Sequence, residues 1–294
     1  MADGSLSKKH DLFVRIQQRA AEATRRLAEK QEQEAAKPQQ MFLPGLEEFM
    51  RAMPNPVARS SLFAPVAKGR KKIHDGEIVL ETPTFIIRFW GRQLDEAQAD
   101  LWMQLMYEAS KAPLGEPVII NRAALLRAIG RSTGKPMYEW LHRAVHDLSF
   151  GMISISAKGK YEIGTHPKSS LLHMIDSLEY DSDIDEYRLH VNGRWRLIYG
   201  NREFSLIDWN KRLQIGQGQD LAKSLQRLIT TSADSTQRYA LNWLKERAQH
   251  TSPMRKFKDA LIAAMRELER LEIIANGRIE RSANGKAQAV WRKL

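Results

Sequence analysis

The chain has 294 residues, carries a formal net charge of +11 and contains no cysteine. The lack of cysteine excludes a disulfide scaffold, a Cys-ligated zinc finger, an iron–sulfur cluster and a thiol nucleophile. The sequence contains no run of 18 apolar residues, so no membrane span is predicted. The first residues lack the apolar core of a signal peptide, and we therefore expect a cytoplasmic protein. The positive charge favours a polyanionic partner, either a nucleic acid or an anionic membrane surface.

Two segments at the N-terminus differ in composition from the rest of the chain. Residues 1–43 are polar and rich in Gln, Glu, Ala, Arg and Lys, which predicts a flexible, partly helical, variable extension. A helix that binds a partner is the alternative for this extension. Residues 44–76 contain four prolines and a basic run at 68–72, which indicates a Pro-interrupted basic linker.

Residues 77–210 are predicted to form a first domain that begins with strands and continues with helices. Residues 77–90 are β-branched and aromatic around a Thr-Pro break, which is typical of two strands. Three helices are expected next. They are marked by the capping residue Asp95 with its capping-box partner Gln98, by the capping residue Asn121 with a stop at Gly130, and by Pro136 near the start of the third.

Strands are predicted again after these helices. Residues 152–164 (MISISAKGKYEIG) predict a hairpin with Lys-Gly at its turn. LLHMIDSLEY at 171–180 and EYRLHV at 186–191 predict a second hairpin across an aspartate-rich turn. Residues 195–207 are also strand-like, before a helix that begins near Asp208.

Residues 211–294 repeat this order of elements without repeating the sequence. Helices are predicted over 219–231 and 236–248, and a long third helix is expected to have Ser252 as its cap and Pro253 at its first position. The chain closes in a hairpin around Asn284-Gly285. The fold class is therefore α+β, with two tandem winged-helix (winged helix-turn-helix) domains over 77–210 and 211–294.

The excess positive charge lies mainly in the last quarter of the chain. Residues 219–294 contain 15 basic and 8 acidic residues, whereas residues 44–218 contain 23 and 21. On the long C-terminal helix this charge lies opposite the apolar stripe, where Arg or Lys can bond guanine and Asp can accept from cytosine. The expected base-contacting residues are Arg255, Lys256, Asp259 and Arg266, and the expected phosphate contacts are Lys258 and the wing residues Arg278, Arg281 and Lys286.

The third helix of the first domain is a weaker candidate for contact with nucleic acid. Thr133, Lys135 and Arg143 can reach phosphates or bases, but Glu139 and Asp147 dilute the positive charge of this face. A structural or dimerisation role is equally open here. For the C-terminal helix, the alternative is a solvated face balanced by its own glutamates.

Four motifs that imitate other chemistry are discounted. His142 and His146 have the spacing of zinc ligands without a third ligand, and the Asp-x-Asp-x-Asp run from Asp181 lacks the glycine of a calcium loop. Gly216-Gln-Gly218 lacks the third glycine and the lysine of nucleotide loops, and the tryptophans are scattered as core residues are. The sequence therefore predicts no catalytic residue, no metal and no cofactor, and a protein that is not an enzyme.

A short linear motif lies in the Pro-interrupted segment. Leu62 and Phe63 stand together in a polar stretch, where they are either a hydrophobic anchor for a partner or a contact that holds the loop to its own domain.

Four blocks carry a resemblance to a known family. They are RAMPNPVARSSLFAP at 51–65, GEPVIINRAALLRAIG at 115–130, SSLLHMID at 169–176 and ELERLEIIANG at 267–277. With these, the chain from about Arg51 onward resembles the TrfA-like plasmid replication initiators. The resemblance implies a bacterial protein with two winged-helix domains that binds iteron repeats in double-stranded DNA at a plasmid origin and opens adjacent A+T-rich DNA.

The same resemblance implies partners for the initiator. Host replication proteins are expected, namely the replicative helicase, the host initiator protein and the sliding clamp, together with self-association through the first domain. Leu62 and Phe63 are the expected clamp contact, although Arg59 and Ser60 stand where the clamp-binding peptide has Gln and Leu. A winged-helix transcriptional repressor that acts on its own promoter is the alternative, and a nicking relaxase would need a His-rich cluster that the dispersed histidines do not supply.

Overall fold

The computed structural model describes residue 22 and residues 46–66, 71–113, 115–166, 170–200 and 203–294. The chain divides into a unit of residues 1–40 and a unit of residues 41–294. The predicted flexible extension over 1–43 therefore lies outside the described residues, except for Glu22, and so does most of the basic run at 68–72. Within the part of the chain that is described, no helix is both long and apolar enough to cross a membrane.

Residues 46–209 pack around one hydrophobic core, and we call this part of the chain the first lobe. Its elements are β1 (Met50–Pro54), α1 (Asn55–Arg59), β2 (Ile73–Glu81), β3 (Phe85–Arg92), α2 (Glu96–Ala109), β4 (Val118–Asn121), α3 (Arg122–Ala128), α4 (Lys135–Phe150), β5 (Met152–Ala157), β6 (Tyr161–Ile163), β7 (Leu172–His173), β8 (Ser177–Asp181), β9 (Glu186–His190), α5 (Trp195–Gly200) and β10 (Phe204–Asp208).

Residues 215–294 pack around a separate core, and we call them the second lobe. A short helix joins the second lobe to the first lobe. The elements are the joining helix α6 (Trp209–Gln214), then α7 (Asp220–Thr230), β11 (Thr236–Ala240), α8 (Leu241–Arg247), α9 (Met254–Arg270), β12 (Ile274–Arg281) and β13 (Ala287–Lys293). This mixture of helices and largely antiparallel sheets confirms the predicted α+β class.

Four sheets organise the strands of the described residues. The first lobe has a two-stranded sheet of β1 and β10, a sheet in the order β2-β3-β5-β6 with β7 also paired to β5, and a sheet in the order β4-β9-β8. The second lobe has a single sheet in the order β11-β13-β12. The hairpins β5–β6 and β12–β13 each follow a long helix, as the sequence predicts.

The predicted caps explain where the helices of the first lobe begin. Asp95 accepts a hydrogen bond from the backbone of Gln98 (3.0 Å), and the Gln98 side chain accepts one from the Asp95 backbone (3.1 Å), so the capping box is confirmed. Asn121 accepts bonds from the backbone of Ala123 and Ala124. Gly130 has φ +71°, which ends the segment after α3 because a left-handed residue breaks the helical ladder.

Three predicted elements are wrong, two of them because a partner elsewhere in the chain decides the local structure. Residues 195–207 are not one strand, since Trp195, Ile198 and Tyr199 are buried at the spacing of a helix. Residues 236–240 are a strand and not the start of a helix, because they pair with β13 at the end of the chain. The predicted strand at 171–180 breaks between β7 and β8, where Met174 bonds the Gly151 carbonyl.

Two further expectations need correction. Ser252 does not cap α9, because Pro253 takes the N-cap position in an extended conformation and its carbonyl accepts the Phe257 N–H (3.1 Å). The part of the predicted linker at 50–63 is an ordered part of the first lobe: β1 pairs with β10, and Met53 and Val57 are fully buried. Prolines 54 and 56 fit there because they lie at the end of a two-stranded sheet and the start of a helix.

A buried cluster of ions, Glu96, Asp100, Arg212, Lys223 and Arg227, joins the two lobes. Arg212 donates to Glu96 (2.9 Å) and to Asp100 (2.7 Å), Lys223 donates to Asp100 (2.5 Å), and Arg227 also pairs with Glu96. Burial alone would raise the pKa of Asp100, but the charges of Arg212 and Lys223 hold that pKa below its ordinary value. Because α2 supplies both carboxylates and α6 and α7 supply the cations, this cluster fixes α2 against the joining helix and the first helix of the second lobe.

Candidate nucleic-acid interface

Helix α9 presents a polar face because its opposite face is the centre of the second core. The predicted stripe is confirmed, since Phe257, Leu261, Met265 and Leu268 are all at most 1% exposed. A helix with this buried stripe must turn its other residues to solvent. The exposed positions are Arg255, Lys256, Asp259, Ile262, Ala263, Arg266 and Arg270.

The first turn of α9 is electropositive in two ways. It contains no acidic residue, and Pro253 at the N-cap provides no side-chain acceptor for the free backbone N–H groups. Arg255 and Lys256 add two positive side chains at the end of the helix that already carries the positive dipole. This arrangement is unfavourable alone and becomes favourable when an anion, such as a phosphate, binds there.

Six of the cations predicted as contacts in the second lobe have no ion-pair partner within the part of the chain that the structure describes. They are Arg255, Lys256, Lys258, Arg266, Arg281 and Lys286, and all of them are exposed except Lys258, which is half-buried. Arg278 differs because it pairs with Glu280 on the same strand (2.8 Å). Unpaired surface cations keep their full capacity to neutralise phosphates, whereas Arg278 would first have to leave its carboxylate.

The hairpin β12–β13 is attached to α9 by close backbone contact. Glu269 accepts a hydrogen bond from the backbone of Gly277 (2.7 Å), and a Cβ at Gly277 would come within 3.1 Å of Met265. Only glycine allows this approach without a shift of Met265. The tip of the hairpin turns at Gly285, with φ +71°, and presents Arg281 and Lys286 to solvent.

The end of α9 is tied to the loop that follows α6. Glu267 accepts bonds from Arg270 (2.8 Å) and from the backbone of Gly216 (2.7 Å), and Arg270 also donates to the carbonyl of Gln214 (2.9 Å). These hydrogen bonds, that from Arg270 foremost, lower the pKa of Glu267 to about 2. The C-terminal half of α9 is thereby held both by the hairpin and by the segment that follows α6, and its N-terminal half carries Arg255 and Lys256 at the surface.

The first lobe repeats part of this arrangement with fewer charges. Thr133, Lys135 and Arg143 are exposed as predicted, together with Glu139, and α4 also begins without an acidic residue in its first turn. Arg131, just before α4, lies 3.7 Å from the Trp140 ring, and burial lowers its pKa. This mixed face offers less positive charge than α9, and the roles of its residues stay predictions.

The predicted clamp contact at Leu62 and Phe63 is wrong for the folded chain. Leu62 is 1% exposed and Phe63 is fully buried, with its ring 5.9 Å from that of Trp102. Arg227 donates to the carbonyl of Phe63 (2.7 Å), so the loop is also held from the second lobe. The two side chains therefore belong to the core of their own protein, which is the alternative that the sequence left open.

The motifs discounted from the sequence have ordinary explanations in the structure. His146 stacks on Phe150 with ring centroids 4.4 Å apart, and Asp185 pairs with Arg122 (2.7 Å). Among the described residues, no group of three or more His, Asp or Glu side chains is arranged to hold a metal ion.

Ile262 and Ala263 are exposed members of the α9 face that the sequence-based choice of charged residues missed. The signal that identifies them is their spacing: they lie three and four residues after Asp259, on the same side of the helix.

The fold is that of a two-lobed α+β protein and is similar to the fold in solved structures of RctB. Domains 2 and 3 of RctB match with TM-scores of 0.53 and 0.51 in two crystal structures, at 13% sequence identity in each. These matches cover 82% of this chain and 98% and 97% of the two RctB chains.

Among characterised sequences, the chain is similar to the plasmid replication initiator protein TrfA of Escherichia coli. The two are 23% identical over 165 residues, which are 55% of this chain and 42% of TrfA. The match therefore spans less than half the length of TrfA. No family model matches the chain. The resemblance to a TrfA-like initiator that the sequence blocks indicate is confirmed by this similarity.

Proposed function

We propose that this chain is a plasmid replication initiator that binds iteron repeats in double-stranded DNA at a plasmid origin. The observation that carries the proposal is the α9 face, where unpaired cations surround an uncapped helix start and a basic hairpin lies against the same helix. The similarity to TrfA supplies the biological setting, since TrfA is a plasmid replication initiator.

The two lobes act as two winged-helix domains in this proposal. In the second lobe, α8 and α9 are joined by six residues and followed by the β12–β13 hairpin, with β11 as the third strand beside β13. In the first lobe, α3 and α4 are likewise joined by six residues and followed by the β5–β6 hairpin. The first lobe differs in its strand β4, which pairs with β9, whereas the corresponding strand β11 of the second lobe pairs with the hairpin strand β13. We assign these domains to residues 77–210 and 211–294, and we add to the first domain residues 50–63 and the beginning of β2 at 73–76, which pairs with β3.

Recognition follows from the two kinds of side chain on the second lobe. Helix α9 enters the major groove with its N-terminal end, where Arg255, Lys256 and Arg266 bond base edges and Asp259 accepts from cytosine. Lys258, Arg281 and Lys286 neutralise phosphates and fix the register. Two units on successive stretches of DNA bend it, and the binding energy favours opening of adjacent A+T-rich DNA.

The chain works in this proposal as a binding protein in the bacterial cytoplasm and not as an enzyme. Opening the origin requires replication proteins from the host, so we include the replicative helicase and the host initiator among its partners. Self-association is assigned to the first lobe, whose α4 face carries too few unpaired cations to dominate DNA binding.

The proposal is tested with purified full-length protein and with a plasmid. Selection from a randomised duplex pool gives the preferred sequence, and footprinting on the replication origin of the source plasmid should show repeated protected sites. Arg255→Ala should weaken binding to the selected sequence by about 1–3 kcal/mol. The matched control, Arg188→Ala on strand β9, removes the same charge and should leave that affinity unchanged.

The plasmid experiment separates an initiator from a repressor. A plasmid that carries this origin should persist only when the protein is supplied in trans. Specific binding without plasmid maintenance would leave a transcriptional repressor, and enrichment of no sequence at all would refute the whole proposal.

A further inference from the structure

Ile262 is an apolar residue in the middle of the charged α9 face. Its side chain is 36% exposed, and it belongs to neither hydrophobic core. Its neighbours on this face are Asp259 before it and Ala263 and Arg266 after it, all exposed. We propose that Ile262, with Ala263 beside it, reads the methyl group of thymine in the binding site, an inference that rests on the proposed DNA-binding role of α9.

The spacing of the face places Ile262 where bases are read. Asp259, Ile262, Ala263 and Arg266 are separated by three, one and three residues, which is the spacing of the base-reading positions on the recognition helix of homeodomains. From Arg255 to Arg266 the helix rises about 16 Å, the length of roughly five base pairs. If the charged residues at both ends of this stretch are in the groove, Ile262 lies in the groove between them.

The chemistry of the groove then selects one base. The thymine C5 methyl is the one apolar group on the major-groove edges that is large enough to pack against an aliphatic side chain, beside the donors and acceptors of the bases. An isoleucine placed against a donor or acceptor removes water from it and gives no hydrogen bond in return, which is unfavourable. Against a thymine methyl, the same side chain buries apolar surface on both sides.

Helix stability does not favour an isoleucine at this position of α9. A β-branched residue restricts its own rotamers in a helix and forms helices less well than Ala, Leu or Lys. Isolated exposed isoleucines such as Ile119 also occur elsewhere on this protein, so the place of Ile262 between Asp259 and Arg266, and not its exposure alone, points to a bound partner. In the major groove, the apolar group that can make this contact is the thymine methyl.

The experiment replaces thymine by uracil, which removes the methyl and keeps the hydrogen-bonding edge. Duplexes are first selected from a random pool with wild-type protein, and each thymine of the selected site is then replaced singly. At one or two positions, wild-type affinity should fall about fourfold, the effect of burying one methyl-sized group. Ile262→Ala should bind thymine and uracil duplexes there equally, and Ile119→Ala, a matched exposed isoleucine on β4, should keep the fourfold preference.

The possible results distinguish this inference from the function on which it rests. If no sequence is enriched by wild-type protein, the proposed DNA-binding function fails. If a sequence is enriched but no uracil replacement weakens binding, or if Ile262→Ala keeps the thymine preference, the reading of thymine by Ile262 is overturned while specific binding stands.

Discussion

Glu267 connects the last turn of α9 to the segment between the lobes with a single carboxylate. Its hydrogen bonds with Arg270 and with the Gly216 backbone exist for the ionised form, which is why its pKa lies at about 2, below the ordinary 4.5. A carboxyl with a depressed pKa in the folded state contributes stability above its unfolded pKa. That contribution is lost as the pH falls from about 4.5 to about 2.

The variant Glu267→Gln tests this directly. Urea unfolding should show the wild type more stable than the variant at about pH 6, with the difference shrinking at about pH 4 and nearly gone near pH 2. Glu139→Gln, an exposed glutamate on α4, is the control and should show no such trend. A wild-type advantage that stays constant over this range would mean that the Glu267 charge does not stabilise the fold.

Single residues were predictable from the sequence where a helical period determines their exposure. The exposure of Arg255, Lys256 and Arg266 follows from the apolar stripe of α9 itself. Leu62 and Phe63 were not predictable in this way. Trp102 and Arg227 cover them, and these lie about 40 and 165 residues further along the chain.

Among the secondary-structure elements, the contact of α2 with α6 and α7 depends on the buried cluster around Glu96. Glu96 and Asp100 are one turn apart on α2, and the arginines that meet them are fully buried. Removal of one charge from such a cluster leaves the oppositely charged partner buried in the protein interior, without water or a counterion to stabilise it.

Glu96→Gln should therefore destabilise the protein by about 3–5 kcal/mol, since Arg227 loses its carboxylate partner. Equilibrium unfolding in urea measures the effect, and Glu179→Gln on the exposed strand β8 is the matched control. A loss below about 1 kcal/mol would show that apolar packing, and not the ion cluster, holds these helices together.

Elements with strong local signals were predicted correctly, and elements defined by distant pairing were not. Helices α2 and α4 have caps and apolar stripes within their own sequence, so local rules suffice. Strand β11 exists because β13 lies beside it, and β1 exists because β10 does. Tertiary pairing overrides local preference in both, since a strand hydrogen-bonds outside itself.

At the scale of the whole molecule, most of the net charge of +11 lies in residues 219–294, with 15 basic and 8 acidic residues. In the proposed complex, the unpaired cations of α9 and of the β12–β13 hairpin are the groups that release counterions from DNA. Each phosphate contact lowers the slope of log affinity against log salt by nearly one unit.

Lys286→Ala should therefore weaken binding to every duplex by a similar factor and reduce the magnitude of the salt slope by about 1. Titration of full-length protein with selected and random duplexes at several salt concentrations measures both effects. Arg188→Ala should leave the slope unchanged. A loss confined to the selected duplex would instead assign Lys286 to base recognition.

The pairing of β1 with β10 has a consequence for how the chain folds while it is being synthesised. Asn55 bonds Ser205, 150 residues later, and the Ala58 carbonyl accepts from Arg247, 189 residues later. At about 5–20 residues per second, a ribosome needs roughly 8–30 s to make the first of these partners. During that time Met53 and Val57 have no finished core to enter, so the emerging chain exposes an apolar edge. The core of the first lobe is thus completed only after β10 has been made.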